Sequence, residues 1–295
     1  MNILFIGSVI FSAQALRKLV AMNARVVGVC TLRESSFNSD HVDLLPIAEE
    51  SGIPGRYVTD LHDNETMSWI RERNPDVIFC FGWSRLIREP LLSLSPLGVV
   101  GFHPAELPAN RGRHPLIWAL VLGLKESAST FFFMNEKVDA GPILSQVKFP
   151  ISSSYDAEDL YRKVTDIALQ QIEEFVPKLE SGKFSKLAQD VSLSDINTWR
   201  KRGAADGRID WRMSAESITN LVRGLSKPYC GAHFDYQGDE VKVWRASLMS
   251  GAPENIEPGK VLLVDSSSII VKAGRGAVRI RVEPGNPLPK VGSYL

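Results

Sequence analysis

The residues best suited to acid–base chemistry are concentrated between Gly101 and Pro115, where the sequence reads GFHPAELPANRGRHP. This run directly follows Val99 and Val100, which are typical of a buried strand. We therefore expect it at the carboxyl edge of a parallel sheet, where open α/β folds bind ligands. The proline that follows His103 biases it toward an extended conformation and keeps it out of a helix. Its imidazole could act as a general acid or base; the alternative is a loop histidine that bonds a backbone carbonyl.

A second candidate loop, residues 135–142, reads NEKVDAGP. Taken alone, Asp139 is typical of a turn residue that bonds its own backbone. If the fold brings it to His103, its carboxylate would orient the imidazole and stabilise the protonated ring. Both interpretations of Asp139 are open at this point, and proximity to His103 would favour the second.

The elements that would position these loops can be predicted from the first half of the chain, in which short apolar runs alternate with helical segments. Continuous apolar strands separated by helices are typical of a parallel sheet covered on both faces. The predicted fold class is therefore α/β, with a Rossmann-like open, mostly parallel sheet, over which the last long helix is expected to pack. We predict strands at 3–6, 26–30, 77–81, 99–102, 130–134 and 143–149, and helices at 13–20, 42–50, 65–73, 115–122 and 160–179.

The pattern changes near residue 190. A polar stretch comes next, and after a helix at 215–225 the chain breaks into short strands with turn signals, among them Gln237-Gly238, a hairpin signature. Closely spaced strands without helices predict a small C-terminal β-barrel, OB-like in character. We expect three parts: a catalytic domain at 1–190, a linker at 191–208 and a β domain at 209–295.

Composition restricts the function. In 295 residues, 34 Lys+Arg balance 34 Asp+Glu, which argues against a protein that holds nucleic acid mainly by neutralising phosphates. Three widely spaced cysteines suggest neither a disulfide framework nor a metal cluster. The sequence has no recognisable signal peptide and no apolar run long enough to cross a membrane. We therefore expect a cytoplasmic protein without a membrane partner.

The two loops together carry a family resemblance. The run HPAELPANRG beginning at His103, with DAG beginning at Asp139, 36 residues after the histidine, resembles the folate-dependent formyltransferase family. So do GSVIFS near the N-terminus, PDVI after residue 74, RIDW before the second domain and VKVW within it. The likeness covers nearly the whole chain, and it implies the formyltransferase fold.

The resemblance also implies roles for individual residues. His103 would be the general acid/base, and Asp139 would support its protonated form. A pocket for 10-formyltetrahydrofolate, the formyl donor, is implied, and no metal. The residues that would border this pocket are Arg85, Leu86, Ile87, Arg113, Asn135, Glu136, Lys137 and Val138.

One position departs from the family. Gly101 stands where members usually carry an asparagine that donates a hydrogen bond to the formyl oxygen. Loss of such a donor costs roughly a hundredfold to a thousandfold in rate. Either another donor replaces it, namely a backbone N–H, a water or Asn110, or activity is impaired. The second case would leave a module that binds folate and nucleotide sugar without turnover.

The acceptor is a choice between two classes of amine. Recognition of tRNA would call for a basic loop near the site, whereas residues 31–43 form a short loop that is not basic. We therefore expect the amine of a nucleotide-linked amino-deoxy sugar destined for a surface glycan, and no nucleic acid, with methionyl-tRNA as the alternative. Similar sugar enzymes are often dimers joined through their C-terminal regions, so a homodimer is expected.

Overall fold

The computed structural model describes residues 1–35, 38–190, 192, 196–283 and 288–295. The chain divides into two compact units, one formed by residues 1–115, 127–149 and 162–199 and the other by residues 116–126, 150–161 and 200–295. Parts of two expected features, the 31–43 loop and the 191–208 linker, lie outside the described residues. The boundaries expected at 190 and 209 stay a prediction.

The first unit is built on a seven-stranded sheet with the order β3-β2-β1-β4-β5-β7-β8. Pairing is parallel from β3 to β5 and antiparallel between β5 and β7. The predicted open, mostly parallel α/β sheet is therefore confirmed. Its strands are β1 (Ile3–Ile6), β2 (Val26–Thr31), β3 (Gly55–Tyr57), β4 (Val77–Cys80), β5 (Val99–His103), β7 (Glu126–Phe133) and β8 (Ile143–Pro150). A separate parallel pair joins β6 (Arg111–Gly112) to β9 (Thr198–Trp199).

Helices accompany the strands, and the predicted packing of the last one on the sheet is confirmed. Phe175 lies on this helix, and its ring centroid is 4.8 Å from that of Phe131 on β7 and 6.0 Å from that of Phe79 on β4. The five helices are α1 (Ile10–Ala21), α2 (Leu45–Glu50), α3 (Asn64–Glu72), α4 (Pro115–Val121) and α5 (Ala157–Glu180). No helix in the described ranges is long and apolar enough to span a membrane.

Several boundaries differ from the predictions by one to four residues, and two of these differences have a physical reason. The helix expected from residue 42 begins at Leu45, because Asp43 forms a local turn before it: Oδ1 of Asp43 accepts from the Leu45 amide at 2.9 Å. Strand β7 begins at Glu126 instead of Thr130. Its early residues include the buried Ser127, whose polarity interrupts the apolar pattern that predicted the strand.

The second unit confirms a small antiparallel β domain. Its five strands have the order β10-β11-β14-β13-β12, and they share a core with the helix Ala215–Gly224 and with Ile117 of α4, most of which belongs to this unit. The predicted hairpin is present: Gln237 (φ 55) and Gly238 (φ 93) both adopt the positive φ that a tight two-residue turn requires. The elements are a 3₁₀ turn (Ala204–Gly207), α6 (Ala215–Gly224), β10 (Ala232–Tyr236), β11 (Asp239–Met249), β12 (Val261–Val264), β13 (Ser268–Lys272) and β14 (Ala277–Val282).

Candidate active site

His103 is the last residue of β5, and its side chain is almost fully buried (5% exposed). β5 lies between β4 and β7, where Gly101 pairs with Cys80 and His103 pairs with Thr130. Thr130 also holds the chain that follows β5, since its hydroxyl donates to the Ala105 carbonyl at 2.7 Å. The sheet therefore fixes the backbone that carries the imidazole.

The hydrogen bonds of the ring distinguish its two nitrogens. Nε2 of His103 lies 2.7 Å from the carbonyl oxygen of Asn110. Because a carbonyl oxygen can only accept, we assign the hydrogen of the neutral ring to Nε2. The free lone pair is then on Nδ1, which lies 3.6 Å from Oδ2 of Asp139. This distance is too long for a hydrogen bond, but it places a carboxylate beside the nitrogen that can take a proton.

Asp139 lies in the connection between β7 and β8, in the left-handed backbone conformation (φ 51). Its Oδ2 accepts a hydrogen bond from the Gly112 amide at 2.9 Å. Two glycines make this arrangement possible. A Cβ at Gly141 would lie 1.7 Å from the Phe133 carbonyl oxygen, and one at Gly112 would lie 2.3 Å from that of Trp199. Main-chain atoms fill both spaces, which explains why the motifs carry glycine there.

The structure thus brings His103 and Asp139 together, which favours the second interpretation of the aspartate. An imidazole with an available nitrogen beside a carboxylate is the arrangement of a general acid/base. Cys80, on the neighbouring strand, is no alternative nucleophile, because burial raises the pKa of its thiol to about 12. Within the described residues, no three His, Cys, Asp or Glu side chains converge in a way that could hold a metal ion. The catalytic roles of the pair stay predictions.

Gly101, where the sequence departs from the family pattern, has little room for a side chain. A Cβ there would lie 3.0 Å from Met134 Cγ and 3.1 Å from Phe132 Cζ. A thioether and a phenyl ring therefore occupy the surroundings in which an asparagine would have to fit. Of the replacement donors considered, Asn110 does lie at the site, in a left-handed conformation (φ 60) with its carbonyl bonded to His103.

The residues expected to border the folate pocket differ in exposure. Leu86 and Val138 leave large apolar side chains open to solvent (52% and 55% exposed), whereas Ile87 is buried in the core of the first unit. Arg113 donates to the Ser84 carbonyl at 2.9 Å, which joins the chain after β4 to the chain after β5. The other expected pocket residues, Arg85, Asn135, Glu136 and Lys137, are exposed.

The N-terminus of α1, a position where many α/β folds bind phosphate, is closed by the protein's own groups. Oγ of Ser12 accepts from the amides of Ser8 and Val9, both at 3.2 Å. The Ile10 amide donates to the carbonyl of Asp40 at 2.9 Å. These three amides are already bonded, so the glycine turn after β1 does not form an anion site of this kind.

Sequence reasoning missed two polar side chains that bond the site loops. Gln189 donates to the carbonyls of Asp139 and Gly141, and Asn197 accepts from the amide of Asn110. Both lie in the polar segment after α5, and no motif or periodicity relates them to the catalytic loops. Only the tertiary fold identifies them.

Comparison with known proteins identifies the family of the chain. The family model described as Formyl transferase matches residues 1–176, and the one described as Formyl transferase, C-terminal domain, matches residues 202–284. The chain belongs to the formyl transferase family. It is also similar to the methionyl-tRNA formyltransferase of Geobacter metallireducens, with 30% identity over 284 residues that cover 95% of this chain and 89% of that protein.

Two solved structures resemble the formyltransferase over nearly their whole length. One is WlaRD, a sugar 3N-formyl transferase in the presence of dTDP and 5-N-formyl-THF (TM-score 0.72, 15% identity, 97% of this chain and 99% of that one). The other is the N-formyltransferase of Helicobacter canadensis with folinic acid and dTDP-3-aminofucose (TM-score 0.71, 15% identity, 95% and 98%). At these identities the likeness shows the fold, and the family match makes the protein a folate-dependent formyltransferase.

Proposed function

We propose that the formyltransferase moves the formyl group of 10-formyltetrahydrofolate to the amine of a nucleotide-linked amino-deoxy sugar, in the biosynthesis of a surface glycan. Two proteins of the same fold support this acceptor class: one is a sugar 3N-formyl transferase solved with dTDP, and the other is an N-formyltransferase solved with dTDP-3-aminofucose. The observation that carries it is the pairing of basic side chains in the second unit, which is unfavourable for tRNA.

Six basic side chains of residues 200–295 form ion pairs with carboxylates of the same unit. Arg200 holds the pKa of Asp206 well below its usual range, and Arg212 lowers the pKa of Asp210 to about 2. Ionised carboxylates neutralise the local positive charge that phosphates would need. The pairs are Arg200–Asp206, Arg208–Asp235, Arg212–Asp210, Lys242–Glu240, Lys260–Glu257 and Arg279–Asp265. A small acceptor with a single diphosphate places a lower demand on this surface than tRNA does.

The exposed residues around the pair suit a formylated folate. Leu86 and Val138 offer apolar surface that a flat ring can cover. The guanidinium groups of Arg85 and Arg113 offer positive charge to the acidic tail of the donor. We propose that these four residues hold the donor, together with main-chain groups of 135–137.

The chain's own residues account for the proton transfers. The bound donor supplies the electrophilic formyl carbon. Nδ1 of His103 takes a proton from the attacking amine and returns it to the folate nitrogen that leaves, so that the acceptor ends as a formamide. Asp139 stabilises the imidazolium from 3.6 Å, while the bond from Nε2 to Asn110 keeps the ring in place.

The alternative acceptor is methionyl-tRNA. The 30% identical relative carries that name, and residues 200–295 contain more basic than acidic side chains. Binding to tRNA would then weaken steeply as salt rises. A sugar acceptor predicts a rate that depends little on salt.

Turnover assays distinguish these functions. We would incubate 10-formyltetrahydrofolate with UDP-, dTDP-, GDP- and CMP-linked amino sugars and with methionyl-tRNA, and follow the release of tetrahydrofolate and the mass of the product. His103→Ala and Asp139→Asn serve as matched variants. Formylation of one sugar, abolished in His103→Ala and strongly slowed in Asp139→Asn, would support the proposal. Activity only with methionyl-tRNA would replace the acceptor class. Folate binding without turnover of any amine would indicate an impaired enzyme and assign that impairment to Gly101.

A further inference from the structure

Gln189 lies between the ranges matched by the two family models, in the polar segment that follows α5. Its side-chain amide makes three hydrogen bonds to the two catalytic loops. Nε2 donates to the carbonyls of Asp139 and Gly141, both at 2.8 Å, and Oε1 accepts from Arg111 at 2.5 Å. Both hydrogens and the oxygen of the amide are therefore used on loop atoms.

The turn that Gln189 holds is conformationally costly. Asp139 has a left-handed backbone (φ 51), and the backbone at Gly141 leaves no space for a Cβ. A non-glycine residue in this left-handed conformation is strained and persists only where its surroundings enforce it. The two bonds from Nε2 hold the carbonyls of Asp139 and Gly141. They therefore restrict the orientation of the Asp139 carboxylate.

The same side chain reaches the loop that holds the imidazole. Its partner Arg111 lies between Asn110, whose carbonyl accepts from Nε2 of His103, and Gly112, whose amide donates to Oδ2 of Asp139. Asn197, from the same segment of the chain, accepts from the Asn110 amide at 2.6 Å. One amide thus links the carboxylate turn to the loop that orients the ring.

We propose that Gln189 is a positioning residue that sets the separation between His103 Nδ1 and Asp139 Oδ2. It touches neither substrate nor the reacting nitrogen and acts through the two loops. The inference rests on the proposed function, because it assumes that His103 and Asp139 are the catalytic pair. It concerns the transfer step and holds for either class of acceptor.

The decisive variant is Gln189→Met, which preserves the length of the side chain and removes its hydrogen bonds. Gln171→Met is the matched control, because Gln171 also donates two bonds with Nε2, to the Ser129 carbonyl and the Ser145 hydroxyl, but none to either site loop. We expect Gln189→Met to lower kcat about 100-fold, the size of effect that a displacement of about 1 Å can cause. KM for both substrates should stay within about twofold, since no substrate contact changes.

Two further measurements separate positioning from plain structural support. The pH profile of kcat/KM for Gln189→Met should resemble that of Asp139→Asn, whereas Gln171→Met should keep the wild-type profile. In the Asp139→Asn background, Gln189→Met should cost less than about twofold, because residues that act as a unit are not additive. Fully multiplicative effects, or a wild-type pH profile with lowered thermal stability, would overturn the proposal.

A crystal structure of Gln189→Met tests the geometry without any acceptor. We expect Asp139 to leave the left-handed conformation and its Oδ2 to move away from His103; an unchanged turn would refute the inference. His103→Ala keeps the two hypotheses apart. If it retains activity, the proposed pair is wrong. If it is inactive while Gln189→Met behaves as wild type, only the positioning role fails.

Discussion

Gly101→Ala tests whether the space beside His103 is as closed as the structure indicates. The added Cβ would lie 3.0 Å from Met134 Cγ, 3.1 Å from Phe132 Cζ and 3.2 Å from Met134 Sδ. Distances this short require the neighbours to move. Phe132 is almost fully buried against Leu107 and Ile143, so the adjustment falls mainly on the flexible methionine.

The expected magnitude follows from opposing effects. Overpacking of a filled site costs about 1–3 kcal/mol. Replacing a glycine whose φ suits alanine stabilises the folded protein by about 0.4–1 kcal/mol, because the unfolded chain loses conformational entropy. Gly101 is such a position, since it lies in a strand and has no positive φ. The balance is a destabilisation of about 1–2 kcal/mol. In a Met134→Ala background two of the three close contacts disappear, and the same substitution should then be neutral within about 0.5 kcal/mol.

A double-mutant cycle measures this dependence by denaturant unfolding, followed by circular dichroism. The coupling between Gly101→Ala and Met134→Ala should be about 1 kcal/mol, as expected for residues in contact. Gly203→Ala is the control, because no atom lies within 4 Å of its added Cβ and its φ is −117°. Equal costs of Gly101→Ala in the two backgrounds would refute the reasoning, since Met134 would then not fill the space.

Three other substitutions or measurements test separate parts of the structure. Asn110→Gly removes the side-chain amide and is compatible with the left-handed backbone at this position (φ 60). If the Asn110 side chain replaces the donor missing at Gly101, kcat should fall about 100-fold. An unchanged kcat would exclude Asn110 as that donor. Ser12→Ala leaves the buried amides at the start of α1 without their acceptor, so the unfolding free energy should fall by about 1–3 kcal/mol; equal stability in denaturant titrations would contradict the bonding. Burial raises the pKa of Cys30 and Cys80 to about 12, whereas Cys230 is exposed. In the folded protein, one thiol should therefore react with a disulfide reagent at pH 8. The protein should also lose stability as pH rises from about 9 toward 12, because in this range the two buried thiols ionise only in the unfolded chain. Rapid reaction of all three thiols would show that the core is open.

The sequence predicted the sheet where side chains carry a periodic or continuous pattern and failed where tertiary contacts interrupt it. Apolar runs such as Ile3–Ile6 and Val77–Cys80 form strands as expected. Strand β7 was placed too short because Ser127 is polar yet buried. The helix after residue 42 is predicted too early, because hydrophobic periodicity does not show that Asp43 bonds the Leu45 amide in a turn before the helix.

The site divides in the same way. The family resemblance implies that Asp139 supports His103, and the structure places their side chains 3.6 Å apart. Gln189 and Asp139 are 50 residues apart along the chain, and no motif or periodicity in the sequence indicates that they are bonded. The resistance of Gly101 to a side chain depends on Met134 and Phe132, which reach it across paired strands. Positions of this kind follow from the fold and not from a motif.

The bond between His103 and Asn110 determines how the pair can work. Because Nε2 is engaged at 2.7 Å, presenting that nitrogen to a substrate would break a buried hydrogen bond, whereas Nδ1 needs no such loss. A proton taken at Nδ1 would turn the 3.6 Å separation from Asp139 into an attraction between opposite charges, and a charge-assisted bond would be shorter. The Gly112 amide holds the same oxygen, so the carboxylate has a fixed partner while the ring is neutral and gains a second one only when the ring is charged. In the proposed mechanism, a carboxylate held in this way would stabilise the imidazolium that forms when the amine gives up its proton.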